Sequence, residues 1–269
     1  MIYPEHIEEK IDFVVIRDEL HRRCTSILGR EQVDEMAYLT DYEAISVLLS
    51  ETDEMKHILE DASLEFPRGE IHDVREALSR IRIEGLFLDE AELFALRKTL
   101  DYAHLIEKFF ASLDEQRFPI LSHTAPHNSD DQSIGDIVRS IDRVIDKYGR
   151  LADNASPELA RIRHELTLVQ GSVGRALSHI LRQAQAEGIL DKDVTPTLRE
   201  GRLVIPVPPA YKRKIGGIVH DESATGKTVY VEPQQVVEAN NHIRELEGAE
   251  RRERLRILQD LTARLRPAV

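Results

Sequence analysis

The chain has no tryptophan and one cysteine, Cys24. A single thiol excludes an intramolecular disulfide framework and any Cys-rich zinc centre, and suits a reducing compartment, so the cytoplasm is the expected location. Aromatic residues make up 5% and glycines number 13 in 269, which argues against a turn-rich β-sandwich. Positive charge is also short: 36 Lys and Arg face 49 Asp and Glu, and a net charge of −13 excludes a globally basic nucleic-acid binder. Any contact with a polyanion must then be local. No apolar run approaches the roughly 20 residues that span a bilayer. The start, MIYPEHIEEK, puts acids where a signal peptide carries positive charge, so neither export nor membrane insertion is expected.

What the chain does have is charge, at 32% of residues, and helical periodicity. The expected class is mainly α: a helical core, then a long antiparallel two-helix lever carrying a small antiparallel β clamp at its tip. From Ile7 to about Tyr148 apolar positions recur every three to four residues, as at Ile7, Ile11 and Val14 or Leu93, Leu96 and Leu100. Breaks at Leu28-Gly29, Phe66 to Gly69, Gly85 and Ser122 to Asp131, with Asp41 and Asp89 as N-caps, predict five to seven short helices in one core over 1–152. Ser156-Pro157 is a helix-start signal for an outgoing lever over 153–194. Leu159, Ile162, Leu166, Val169, Val173, Ala176 and Ile180 form a heptad seam that needs a partner helix. The partner is predicted over 233–269, through Val236, Ala239, Ile243, Leu246, Leu258, Leu261 and Leu265. Its stretch Glu247 to Arg254 holds almost no apolar side chain, so there the helix is either solvated on two sides, which is the expectation, or covered by something outside this chain. Between the levers, 195–232 contains the strand-like runs Leu203-Val204-Ile205, Ile218-Val219 and Thr228 to Val231, with Pro206, Pro208 and Pro209 placed at an edge or past a strand end.

The string ATGKT at Ala224 to Thr228 imitates the end of a phosphate-binding loop. Asp221 stands where its first glycine belongs, and Val229 onward reads as strand rather than helix, so a hairpin turn at Gly226 is predicted. His220-Asp221-Glu222 nominates a metal-dependent nuclease, but neighbours in a strand point to opposite faces. His123 and His127 lack a third ligand, and no G-x-S-x-G elbow occurs, so no metal and no catalytic residue is assigned. The clamp region from Pro196 to Val231 carries six bases against three acids, a local +3 in an acidic chain. Lys212, Arg213, Lys214, Lys227 and Arg202 are the candidate contacts to a nucleic-acid backbone, which would be gripped by shape and charge rather than read by sequence.

Three strings, Phe66 to Leu78 (FPRGEIHDVREAL), Asn154 to Leu166 (NASPELARIRHEL) and Leu198 to Glu247, carry a resemblance to the N-terminal part of the paralogous, anti-recombination branch of the bacterial MutS family. The resemblance implies the same core, lever and clamp, in a homodimeric ATPase that binds branched DNA, suppresses homologous recombination and in some bacteria splits collided ribosomes. It also implies ATP and magnesium for the full-length protein, with no cofactor in this stretch, and in many members a C-terminal Smr nuclease domain. The chain would be a fragment without activity of its own, ending near the close of the returning lever. No Phe-x-Glu occurs, so mismatch probing is not expected. The rival readings are a helical protein-interaction scaffold without nucleic-acid contact and the His220, Asp221, Glu222 nuclease.

Overall fold

The computed structural model describes residues 6–124 and 131–268. His127 and most of the predicted break between Ser122 and Asp131 lie outside the described residues. The chain divides into two units, Met1–Ala152 with Leu258–Val269, and Asp153–Ile257.

The first unit holds α1 (Ile7–Lys10), α2 (Phe13–Arg23), α3 (Ile27–Asp34), α4 (Tyr42–Glu60), α5 (Arg75–Ile81), α6 (Glu90–Ala111), α7 (Leu121–Thr124) and α8 (Asp131–Asp142). Asp41 caps α4 by accepting from Ala44 N at 2.8 Å, and Asp89 with Glu92 forms a capping box on α6. Leu28-Gly29 is not a break: both residues lie inside α3, whose N-cap is Ser26. The helices also exceed the predicted number and do not share one core evenly. α1 and α2 bury no side chain and α3 buries only Val33, while Ile58, Leu113, Phe118 and Leu121 form a compact centre beside Phe66, Phe109 and Phe110. Buried Glu54 accepts from the backbone N–H of Ile120 and of Leu121, which satisfies donors at the start of α7.

The second unit is built on α9 (Pro157–Ala186), with the sheet strands β1 (Thr197–Arg199), β2 (Arg202–Val207), β3 (Gly217–Glu222) and β4 (Val229–Pro233), the short α10 (Lys212–Ile215), and α11 (Val237–Leu265), whose last residues belong to the first unit. Ser156 caps α9 and Pro157 occupies its first turn. Thirty residues make α9 about 45 Å long at 1.5 Å per residue. Polar pairs set α9 and α11 antiparallel: Ser156 donates to Glu253 at 2.6 Å, Arg163 to Glu250 at 2.8 Å, and Glu165 meets His242 at 2.8 Å. The stretch Glu247 to Arg254 is therefore solvated on one face only: Arg251 and Arg252 are exposed, while Glu250 and Glu253 fasten the other face to α9.

Leu159, Ile162, Leu166 and Val173 are buried as the heptad predicts. Beyond them Ala176 and Ile180 give way to Leu177, Leu181 and Ala184, the drift expected of a straight helix of 3.6 residues per turn. These later residues share a core with Ile205 and Val207 of β2 and Val229 and Val231 of β4, so the sheet rests on α9. Gly171 and Gly174 cost about 1 kcal/mol each relative to Ala. Packing does not demand them: a Cβ at Gly174 would meet nothing within 4 Å, and one at Gly171 only the Arg175 side chain.

The sheet is antiparallel, in the order β1-β2-β4-β3. Glu200 (φ 48°) and Gly201 (φ 73°) make the two-residue turn between β1 and β2, both in the left-handed region that such tight hairpins require. Pro206 lies within β2, opposite Tyr230 of β4. Pairing with β1 has already ended at Val204, so at Pro206 the strand is locally an edge and its missing N–H costs no ladder bond. Among the described residues no helix is long and apolar enough to cross a membrane.

Candidate nucleic-acid interface

The chain leaves β2 at Val207, passes a 3-10 turn at Pro209–Tyr211 and enters α10. Tyr211 and Ile215 pack against the core of the second unit, so the helix is anchored by its two ends. Lys212, Arg213 and Lys214 between them are exposed, and none meets a carboxylate among the described residues. The Lys214 ammonium lies 5.6 Å from the centre of the Tyr211 ring, which limits its wandering. Lys227 is likewise exposed, in the β3–β4 loop.

That loop is a hairpin turn. Ser223 N donates to Thr228 O at 2.8 Å, Gly226 N donates to Ser223 O at 2.8 Å, and Gly226 has φ 66°. β4 follows at once, so no helix N-terminus faces the Gly-Lys-Thr string, and the phosphate-loop imitation is structural.

Arg202 does not fit the expected backbone contact. Its guanidinium donates to both carboxylate oxygens of Glu232, at 2.7 and 3.0 Å, and to Asn241 at 2.6 Å. Glu232 has no exposed surface. It also receives Asn240 Nδ2 at 2.7 Å and lies 2.5 Å from His220 Nε2. Burial alone would raise the Glu232 pKa, but hydrogen bonds from Asn240, His220 and Arg202 outweigh it and hold the carboxyl below its ordinary value. One carboxylate thus ties β2, β3 and β4 to the start of α11. A bulge between Val219 and Asp221 breaks the strand alternation at His220, beside the position where the imidazole reaches Glu232. Gly217 permits the close approach: with φ 141°, a Cβ there would stand 2.0 Å from the carbonyl oxygen of Glu232.

The His220, Asp221, Glu222 cluster is dispersed by the same geometry. Asp221 pairs with Arg199 at 3.4 Å, across the ring of Tyr230, while His220 turns to Glu232. No group of three or more metal-ligating side chains is assembled among the described residues. Sequence reasoning missed Glu232 and Asn240 altogether. Glu232-Pro233 read as a strand end, and only a buried acid facing a distant Arg-His pair would have distinguished it.

No family model matches the chain. Curated relatives do. It is 36% identical over 255 residues to Endonuclease MutS2 of Pelotomaculum thermopropionicum, covering 95% of this chain and 32% of the relative. Endonuclease MutS2 of a Geobacillus strain is 34% identical, covering 94% and 32%. Endonuclease MutS2 of Acetivibrio thermocellus is 35% identical over 268 residues, covering 96% and 32%. The chain spans about a third of the length of these relatives.

Proposed function

The chain is of the MutS2 type, the branch of the MutS family that it matches along 95% of its length, and on that premise we propose that its second unit is a clamp that grips nucleic acid by the sugar-phosphate backbone. α10 carries the reading: three consecutive exposed bases without acid partners, held at both ends by Tyr211 and Ile215. In a chain of net charge −13 such a site gives local attraction without general stickiness. Backbone contacts carry no base information, which suits ligands defined by shape, such as branched DNA in recombination or the RNA of collided ribosomes. The endonuclease activity in the relatives' name, and the ATPase with its ATP and magnesium and the dimer contacts that the resemblance implies, are assigned in this reading to the part of those proteins that this chain does not match.

The test is the triple change Lys212→Ala, Arg213→Ala, Lys214→Ala in the intact protein, titrated against a four-way DNA junction and against ribosomes at several salt concentrations. Each lost phosphate contact should lower the slope of log K against log salt by about 0.9, so about 2.7 for all three. An unchanged affinity and slope would overturn the assignment.

A second reading, a helical scaffold for protein partners, has one observation in its favour. Ile11, Val15 and Ile16 in and before α2 are each more than half exposed. It predicts that the triple variant keeps full function in recombination assays, whereas a nucleic-acid clamp loses it.

A further inference from the structure

We propose that the outward face of α9 is a second backbone-contact surface, separate from α10, through which the same nucleic acid is held along the helix. This rests on the nucleic-acid reading above and extends it to residues that reading does not use.

Carboxylates are distributed unevenly. At the chain's mean of 49 acids in 269 residues, a stretch of 21 would carry about four. Residues 166–186 of α9 carry none, and residues 201–220, which include α10, carry none either. These are the two longest acid-free runs in the sequence, and both fall in the second unit.

The arginines of α9 divide accordingly. In the first turns Arg161 is held by Glu158 and Glu165, and Arg163 by Glu250 and Asp153. Further along, Arg175 and Arg182 are exposed and meet no carboxylate among the described residues; the Arg182 Nε donates only to the Ser178 carbonyl, at 3.2 Å. A guanidinium with free donors on a rigid helix is suited to phosphate oxygens.

At 3.6 residues per turn His164, Gly171, Arg175, Ser178 and Arg182 fall within a sector of about 60°, opposite the buried Leu166, Val173 and Leu177. The face therefore presents the guanidinium donors of Arg175 and Arg182, with His164 exposed toward the start of the helix; the Ser178 hydroxyl turns back to donate to the Gly174 carbonyl at 2.8 Å, and the Arg175 side chain lies over Gly171. Leu168 is the only large apolar residue exposed in the run. A protein partner would need an apolar centre that this face lacks, whereas a polyanion needs only the charge.

The experiment compares three variants of the intact protein on the same DNA junction across a salt series: Arg175→Ala with Arg182→Ala, the α10 triple variant, and Arg161→Ala as a paired-arginine control. The proposal expects the α9 double variant to lose about tenfold in affinity and about 1.8 in salt slope, with Arg161→Ala near wild type. Loss in the α10 variant alone overturns the α9 surface and leaves the clamp reading standing. Loss in the α9 variant alone supports the surface and removes α10 from the contact. Equal losses in Arg161→Ala and the double variant overturn it, since the effect would then be net charge. A wild-type protein that binds no junction at any salt overturns both.

Discussion

Ser156 and Glu253, 97 residues apart, share a buried hydrogen bond of 2.6 Å, the serine hydroxyl donating to the carboxylate. The same hydroxyl accepts from Leu159 N at 3.0 Å, so one oxygen both caps α9 and fixes its distance from α11. Ser156→Ala removes both bonds and is expected to destabilise the second unit by about 1 to 2 kcal/mol. Urea denaturation followed by circular dichroism measures it, and an unchanged midpoint would mean that the cap is dispensable.

Glu253 adds a pH dependence. The hydrogen bond from Arg256 contributes most, against the opposing effect of burial and with help from Ser156, and the carboxyl falls from 4.5 to about 2. A folded-state pKa below the unfolded one gives stability that is fully present above pH 4.5 and drains away as pH falls toward 2. Glu253→Gln should therefore flatten the loss of stability between pH 5 and 2 while lowering stability at pH 7. A variant whose melting temperature falls with acid as steeply as the parent's would show that other carboxylates govern the effect.

Glu232 and Arg202 offer a sharper case because the carboxylate has no exposed surface. Glu232→Gln keeps the shape but leaves the guanidinium, which has 15% of its side chain exposed, without a counter-charge. Removing one partner of a buried pair typically costs about 3 to 5 kcal/mol. A double-mutant cycle with Arg202→Ala should return a coupling energy above about 1 kcal/mol. Independent, additive effects would contradict the hub.

Gly217→Ala should be severe for a steric reason: φ 141° is foreign to an L side chain, and the new methyl would meet the Glu232 carbonyl at 2.0 Å. β3 must then move away from β4. Loss of amide protection in β3 and β4 by hydrogen exchange, with α9 unaffected, is the expected signature.

Much of this was legible in the sequence. The seam from Leu159 to Val173 announced a paired helix, Ser156-Pro157 its start, and the strand after Gly-Lys-Thr disqualified a phosphate loop. The rest depends on residues far apart in the chain. Glu232 gathers Arg202, His220 and Asn240 from three elements, and no local spacing shows that Arg202 is occupied by an internal acid while Lys212 is not. The solvation expected of Glu247 to Arg254 holds at Arg251 and Arg252 but not at Glu250 and Glu253, which find their partners, Arg163 and Ser156, about 90 residues earlier.

His242 sets a final prediction. Its Nε2 lies 2.8 Å from Glu165 Oε1 and its Nδ1 3.6 Å from Glu245. The hydrogen bond to Glu165 is the largest influence, opposed by partial burial and reinforced by Glu245, and the imidazole pKa rises above 6.5. A raised folded-state pKa means that the contact contributes fully below pH 6.5 and is lost as pH climbs through the higher folded value. The α9–α11 pair should accordingly loosen as pH rises above 6.5, opposite in sense to the Glu253 effect. An NMR titration of the His242 ring should show a midpoint above 6.5 that returns toward it in Glu165→Gln. If the midpoint stays high in that variant, Glu245 holds the proton, and the cross-helix bond contributes nothing to the pH response.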